Sequence, residues 1–147
     1  MPANDHAAFA LFKSYIRDAS GISEDEFNLI AHFLRPVHFN KGAVVLEIGS
    51  VCAHAFHVTR GLLRVATLDK NGDEHIVQFA PEGSFASDRS SMYFQEPSHL
   101  RIDAIEDTDA VMVGQDYFDA LATISETFRK FNTTLLHNHI RHMQDRI

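Results

Sequence analysis

The sequence predicts a mainly β fold with flanking helices, specifically a double-stranded β-helix, or jelly-roll-like β-roll. Three observations support this prediction. Alternating segments punctuated by glycine fill the middle of the 147-residue chain, amphipathic segments precede them, and helical periodicity returns after them. The predicted boundaries are 1–35 for the first helical part, 36–114 for the β-roll and 115–147 for the last helical part. A chain of this length with 45% hydrophobic residues suits one compact domain.

Two helices are predicted before the β-roll. Apolar residues recur at helical spacing from His6 to Ala19, which predicts the first helix. The second helix is predicted from Glu24 to Leu34, because Ser23 and Glu26 form a capping-box pattern in front of an apolar run.

The β-roll is predicted to contain seven short strands separated by glycine turns. The clearest turn signal is Asn71-Gly72, where we expect a tight hairpin because both residues tolerate a positive φ. The predicted strands are Val37–Phe39, Ala43–Leu46, Ala55–Thr59, Gly61–Leu68, Glu74–Phe79, Leu100–Ala104 and Asp109–Val113.

Two further helices are predicted after the roll. Asp116 is expected to cap a short helix through Leu121, and Ser125 a longer one that runs to the end of the chain. Residues of the longer helix at steps of three and four form an a/d seam, which predicts a parallel homodimer. The seam consists of Thr133, Leu136, Ile140, Met143 and Ile147. In the alternative, this helix packs on its own domain through Phe128, Phe131 and Leu135; we expect both arrangements to contribute.

Composition restricts the class of protein. The formal net charge of −7 argues against direct DNA binding by most of these residues, because affinity for DNA depends on neutralising phosphates. The single cysteine, Cys52, excludes an internal disulfide. No stretch approaches the roughly 20 apolar residues of a spanning helix. We therefore expect a cytoplasmic protein without membrane segments.

The stretch from Gly83 to Ala104 collects more hydrogen-bonding side chains than any other part of the chain. It begins at a glycine turn, passes through a Ser-rich segment long enough for a turn or two of helix, and enters a strand after Pro97. We predict a small-molecule site here. The candidate ligand-binding residues in it are Ser87, Asp88, Arg89, Ser98 and His99.

The element order and several short motifs resemble the cyclic-nucleotide-binding-like effector domain of Crp/Fnr-family bacterial transcription regulators. The motifs are Asn40-Lys41-Gly42, Glu47-Ile48-Gly49, the run from Phe56 to Gly61, and Phe85-Ala86-Ser87-Asp88. The resemblance covers essentially the whole chain. It implies a ligand in the roll, a homodimer formed by the long helix, and DNA binding by a following helix-turn-helix. That module is not in this sequence, so we expect a fragment of a longer regulator, because the seam continues to the final residue.

The resemblance also permits a comparison of the ligand cassette. Cyclic-nucleotide-binding members have Phe-x-Gly-Glu and, about ten residues later, an Arg for the phosphate; here these positions hold Phe85, Ser87, Asp88 and Ser98. A serine cannot replace the charged fork of an arginine, and such a charge-assisted bond is worth about 1.5–3 kcal/mol. We therefore expect no cofactor and no tight binding of cyclic AMP or cyclic GMP.

Two arginines and the last helix complete this comparison. Arg89 is expected to pair with Asp88 or lie in solvent, and Arg101 to face away from Ser98 because strand side chains alternate. The same gapless register places the purine contacts of the family at Met143 and Gln144, and Gln144 completes the candidate ligand-binding set.

Three alternatives involve other chemistry. The first is a structural interaction module without a ligand, whose pocket is filled by its own side chains: Phe85, Met92, Tyr93 and Phe94. The second is a metal site, for which Cys52 and His54 supply only two ligands on one strand face, and His137, His139 and His142 are more simply surface residues. The third is an enzyme of the cupin type, but its His-x-His pattern falls here on a predicted helix. We predict neither a metal site nor catalysis.

Overall fold

The computed structural model describes residues 3–130. The four complete helices and the start of a fifth, α5, flank eight strands. The helices are α1 (Ala3–Ser20), α2 (Glu24–Ile30), α3 (Arg89–Phe94), α4 (Gln115–Ile124) and α5, which is described over residues 126–130. The strands are β1 (Arg35–Phe39), β2 (Val44–Leu46), β3 (His54–Arg60), β4 (Leu62–Leu68), β5 (Glu74–Pro81), β6 (Phe85–Ala86), β7 (Leu100–Ala104) and β8 (Thr108–Gly114).

The strands form two antiparallel four-stranded sheets, which confirms the predicted mainly β fold. The first sheet, sheet A, has the order β1-β8-β3-β6, and the second, sheet B, has the order β2-β7-β4-β5. All seven predicted strands are present with ends shifted by a few residues. The eighth, β6, was missed because two residues are too few to show an alternating pattern.

Sheet A is covered on one face by helices. His57 on β3 is opposite Val111 on β8 and Phe85 on β6, so these side chains share a face. Phe12 of α1 is fully buried against that face, with its ring 5.3 Å from the ring of His57. Phe56, the neighbour of His57, points to the opposite face and contacts Phe39. α1 therefore packs outside the roll, while Phe56 belongs to its interior.

Sheet B has an exposed edge. β5 pairs only with β4 in the described part of the chain, and seven of its eight residues are exposed. Three of them are large apolar residues with exposed fractions of 51%, 57% and 50%: Ile76, Val77 and Phe79.

The capping box of the second helix is confirmed, but its predicted end is wrong. The Ser23 hydroxyl accepts a hydrogen bond from the Glu26 amide (3.1 Å), and the Glu26 carboxylate accepts one from the Ser23 amide (2.9 Å). α2 ends at Ile30 and continues as one 3-10 turn, Ala31–Phe33. Leu34 is already extended, because β1 begins at the next residue with Pro36 close behind.

The β4–β5 hairpin exists with the loop that the predicted strand ends leave, but only one of the two predicted turn residues takes a positive φ. The strands pair from Leu68 and Glu74 onwards, which leaves a loop of residues 69–73. Gly72 has a φ of +83°, whereas Asn71 does not take a positive φ. The Asp69 carboxylate instead accepts hydrogen bonds from the amides of Asn71 (2.8 Å) and Asp73 (3.0 Å), so a side chain stabilises the turn.

The helices after β8 begin differently from each other. α4 starts one residue before the predicted position, and its N-cap is Gly114, so the prediction that Asp116 caps it is wrong. Ser125 is a cap as predicted, since its hydroxyl accepts a hydrogen bond from the Phe128 amide (3.1 Å). The same hydroxyl donates to the backbone carbonyl of Ser20 (3.2 Å), which joins the start of α5 to the end of α1.

Candidate functional site

The stretch from Gly83 to Ala104 folds as predicted into a turn, a short helix and a strand. Gly83 has a φ of +89° and leads into β6, after which α3 occupies the Ser-rich segment. Gln95 ends α3 in the left-handed region with a φ of +57°. β6 is an edge strand of sheet A, so the chain leaves this sheet at its edge before it forms α3.

Asp88 and Ser98, which stand at the Glu and Arg positions of the cassette, bind each other. The Ser98 hydroxyl is buried and donates to Asp88 Oδ2 at 2.7 Å. Asp88 Oδ1 accepts from the Ser91 amide at 3.0 Å and so caps α3. Both residues therefore have structural partners.

The remaining candidate ligand residues do not all come together. His99 is exposed, and its backbone carbonyl accepts a hydrogen bond from the Thr67 hydroxyl. Gln144 and the seam residues Thr133, Leu136, Ile140, Met143 and Ile147 lie outside the described residues. Only Ser87 and Arg89 line the cavity that the structure places beside this segment.

That cavity lies between the outer face of sheet A and the helices. Its volume is about 310 Å³, at the lower end of the range for small-molecule sites. The lining is mostly apolar, and Arg89 is the only charged residue that contributes to it among residues 3–130. The other lining residues come from five elements and the segment after β6: Tyr15, Ile16, Ala19, Ser20, Ala55, Phe85, Ser87, Phe118, Thr127 and Phe128.

Arg89 contradicts our expectation that it pairs with Asp88 or lies in solvent. Its guanidinium carbon lies 3.5 Å from the centroid of the Phe118 ring and 5.6 Å from that of Phe128. Its Nε and Nη2 atoms are buried, and neither has a hydrogen-bond partner among residues 3–130. The Asp88 carboxylate is occupied by Ser91 and Ser98, which explains why the predicted local pair does not form.

Burial lowers the pKa of Arg89 to about 10, partly offset by Asp119 and Tyr117. The side chain therefore carries its charge at neutral pH without an ion-pair partner in the described part of the chain. Stacking on Phe118 supplies cation–π stabilisation, but the face of a ring accepts no in-plane hydrogen bond. Removing a cation from water is costly, so an oxyanion that met these donors would be stabilised here.

Two polar side chains near the cavity are also buried without partners in the described structure. Burial raises the pKa of Tyr117, whose hydroxyl is unpaired. Burial also lowers the pKa of His57 to about 4, and a backbone contact with Gly83 offsets only part of this effect. Neither ring nitrogen of His57 forms a hydrogen bond of normal geometry, and the ring packs among Phe12, Tyr15 and Phe85.

Sequence reasoning missed the contribution of α1 to this site. Tyr15 and Ile16 were identified only as helical apolar residues, because spacing along one helix does not show which sheet face it covers.

Ser87 makes only weak contacts, with its oxygen 3.4 Å from the carbonyl of His54 and 3.7 Å from Cys52 Sγ.

Two kinds of feature are absent from residues 3–130. No helix there combines the length and apolar character needed to cross a membrane. No three side chains of His, Cys, Asp or Glu in this part are grouped as metal ligands.

Comparison with known proteins identifies the fold. Residues 36–125 match the family model described as "Cyclic nucleotide-binding domain". This segment is well over half of the chain and contains both sheets, α3 and α4. No curated protein sequence matches the chain.

Three solved structures illustrate the similarity. The sensor domain of the transcriptional regulator DNR from Pseudomonas aeruginosa has a TM-score of 0.71 at 15% identity, over 94% of this chain and 91% of that one. The catabolite activator protein of Thermus thermophilus has a TM-score of 0.68 at 17% identity, over 84% of this chain and 58% of that one. The regulatory subunit of a cAMP-independent protein kinase A from Trypanosoma brucei has a TM-score of 0.66 at 13% identity, over 90% of this chain and 53% of that one. At these identities the similarity concerns the fold, and this chain spans little more than half of the latter two proteins.

Proposed function

This chain belongs to the cyclic nucleotide-binding domain family, and we propose that it is the ligand-sensing and dimerisation domain of a Crp/Fnr-like bacterial transcription regulator. In this proposal a small-molecule effector binds beside the segment from Gly83 to Ala104. The homodimer forms through the C-terminal helix, the protein is cytoplasmic, and DNA is bound by a helix-turn-helix outside these 147 residues. The chain itself catalyses no reaction.

The observation that carries this proposal is the family match over residues 36–125. Two similar structures, a catabolite activator protein and the sensor domain of a transcriptional regulator, support the regulator class. The junction between α1 and α5 at Ser125 provides a physical connection between the site and the helix that leads to the seam. An effector that contacts both helices would therefore change the position of α5.

We propose that the effector is not a cyclic nucleotide. The serine at the phosphate position is hydrogen-bonded to the Asp88 carboxylate, and a serine supplies no positive charge to neutralise a phosphate there. Of the two arginines near it along the chain, Arg89 stacks on Phe118 outside the roll and Arg101 pairs with Glu47 at 3.4 Å. Specific recognition of a cyclic phosphate would require breaking the Asp88–Ser98 bond without a compensating charge.

A thermal-shift screen with cyclic AMP, cyclic GMP and a panel of common metabolites tests this function. A ligand at one hundred times its Kd stabilises the protein by about 2.7 kcal/mol, which is readily detected. We expect at least one metabolite to raise Tm and both cyclic nucleotides to leave it unchanged. A rise with cyclic AMP that Asp88→Ala abolishes would contradict the effector proposal.

An interaction module without a ligand is the second candidate. Met92 is only 1% exposed, and Asp88 and Ser98 are bonded to each other, which supports this alternative. Tyr93, by contrast, is 40% exposed and does not fill the pocket. The absence of any shift across the whole screen would favour this module over the sensor.

A further inference from the structure

We propose that the cavity between α1, sheet A and the start of α5 binds a small apolar monocarboxylate, with Arg89 as its anchor. This inference rests on the proposed sensor function and adds the chemical class of the effector. It also places the effector on the helical side of sheet A, opposite the roll interior that contains Phe56.

The shape and chemistry of the cavity select the apolar part of the ligand. A volume of about 310 Å³ suits one aromatic ring or a short alkyl chain. Phe85, Phe118 and Phe128 supply apolar walls, and Ala19 and Ala55 leave the space open. A multiply charged metabolite would leave most of its charge against these walls, which disfavours it.

The guanidinium of Arg89 selects the polar part of the ligand. Its unpaired donors are Nε and Nη2, which together form one edge of the guanidinium group. Arg64 uses the same two atoms to bind the carboxylate of Asp103, with Nε to Oδ1 at 3.0 Å and Nη2 to Oδ2 at 2.9 Å. The same edge of the Arg89 guanidinium is therefore not occupied by any described residue. The proposed site requires Arg89 to turn about its terminal torsions so that this edge faces the cavity, where a planar oxyanion fits it in a bidentate manner.

The location explains how binding would be transmitted. Tyr15 and Ile16 of α1 contribute one wall, and Thr127 and Phe128 of α5 contribute another. A ligand that contacts both walls contacts the two helices that the Ser20–Ser125 hydrogen bond joins. Occupancy of the cavity therefore acts directly on the first turn of the helix that leads to the predicted seam.

The test titrates benzoate, phenylacetate and hexanoate into the ¹⁵N-labelled chain, with benzamide and hexanamide as neutral controls of the same shape. Amide shifts of Ser87, Arg89 and Phe128 report the site, and an isotherm gives Kd. We expect at least one acid to bind and its amide to bind at least tenfold more weakly. A charge-assisted pair is worth one to two decades of affinity.

Two variants locate the binding. Arg89→Met retains length and apolar contact but removes the donors, and we expect it to weaken acid binding at least tenfold. Because it also removes an unpaired buried charge, it should fold at least as well as the parent. Ala19→Leu fills the mouth of the cavity from an exposed helical position, and we expect it to weaken acid binding as well. This second variant keeps the inference testable if Arg89→Met fails to fold.

Three results would overturn the inference: no acid binds, the acids and amides bind equally, or an acid binds Arg89→Met as tightly as the parent. The proposed sensor function can be separated from this outcome. If another metabolite raises Tm and the rise persists in Arg89→Met, the sensor function stands and the carboxylate site is wrong. If neither the acids nor the metabolite panel has an effect, both proposals fail.

Discussion

Asp88, at the position of the cassette Glu, is part of the framework of the fold. Its two carboxylate oxygens serve separate purposes, since one caps α3 and the other satisfies the buried Ser98 hydroxyl. A glutamate at this position would be one methylene too long to maintain both contacts.

Asp88→Ala is expected to destabilise the fold by about 2 kcal/mol, because it removes a helix cap and the 2.7 Å acceptor of the buried Ser98 hydroxyl, which keeps only its longer hydrogen bonds with the Leu100 backbone. Urea denaturation measures the loss. Asp88→Asn retains an acceptor for the cap and should lose less. His99→Ala, at an exposed neighbouring side chain, should stay within about 0.5 kcal/mol of the parent. A loss for Asp88→Ala as small as that of His99→Ala would mean that neither contact stabilises the fold.

His57 makes stability depend on pH. Its pKa is about 4 in the folded chain against 6.5 for the free side chain, so the unfolded state binds more protons between these values. The stability associated with neutral His57 is present above pH 6.5 and is lost as pH falls towards 4. The total loss of folding stability over this range is about 3 kcal/mol, because each unit of pKa difference corresponds to about 1.36 kcal/mol.

Replacing His57 with Leu tests this dependence. We expect the free energy of unfolding of the parent to fall more steeply than that of the variant between pH 6.5 and 4. Exposed groups such as His38 and Asp69 titrate in both proteins and cancel in the difference. Parallel curves from urea melts across this range would show that His57 is not the responsible group.

At the scale of elements, local signals in the sequence were reliable where neighbouring residues determine the structure. Ser23 with Glu26, and Ser125 before an amphipathic segment, located two helix starts correctly because a cap needs only residues within one turn. The end of α2 was missed because β1 pairs with β8, more than 70 residues away, and this pairing draws Leu34 into an extended conformation.

The candidate site was predictable only in part for the same reason. Polarity located the segment that contains Ser87 and Arg89, but the neighbours of Arg89 come from α4 and α5. No pattern along the chain indicates that Phe118 stacks on this guanidinium. Whether an arginine is exposed, paired or buried depends on tertiary packing, and the expectation drawn from its sequence neighbour Asp88 therefore failed.

The junction of α1 and α5 depends on one hydroxyl. Ser125→Ala removes the cap of α5 and leaves the buried carbonyl of Ser20 without its donor, so we expect a loss of about 1–2 kcal/mol in urea denaturation. Thr123→Ala is the control, since the Thr123 hydroxyl is exposed and binds only within its own helix. Equal stability of the two variants would contradict a role of Ser125 in joining the helices.

At the scale of the whole molecule, the two sheets were predictable because glycine turns recur at regular spacing, whereas the assembly remains a prediction. The seam of Thr133, Leu136, Ile140, Met143 and Ile147 is short for a coiled coil, and α5 is described only over its first residues. Ile140→Asp should place a charge at the centre of the seam and yield monomers in analytical ultracentrifugation. Asn138→Asp changes the charge equally off the seam and should remain dimeric. A dimer in both variants would exclude this interface.

The open edge of sheet B has a practical consequence for anyone who purifies this domain. Ile76, Val77, Gln78 and Phe79 form an uncharged run on a strand whose outer backbone groups have no partner strand among residues 3–130. Edges of this kind template intermolecular pairing and fibre growth when concentration rises. Storage at low concentration, away from the isoelectric point, is the condition under which a preparation should stay free of insoluble material.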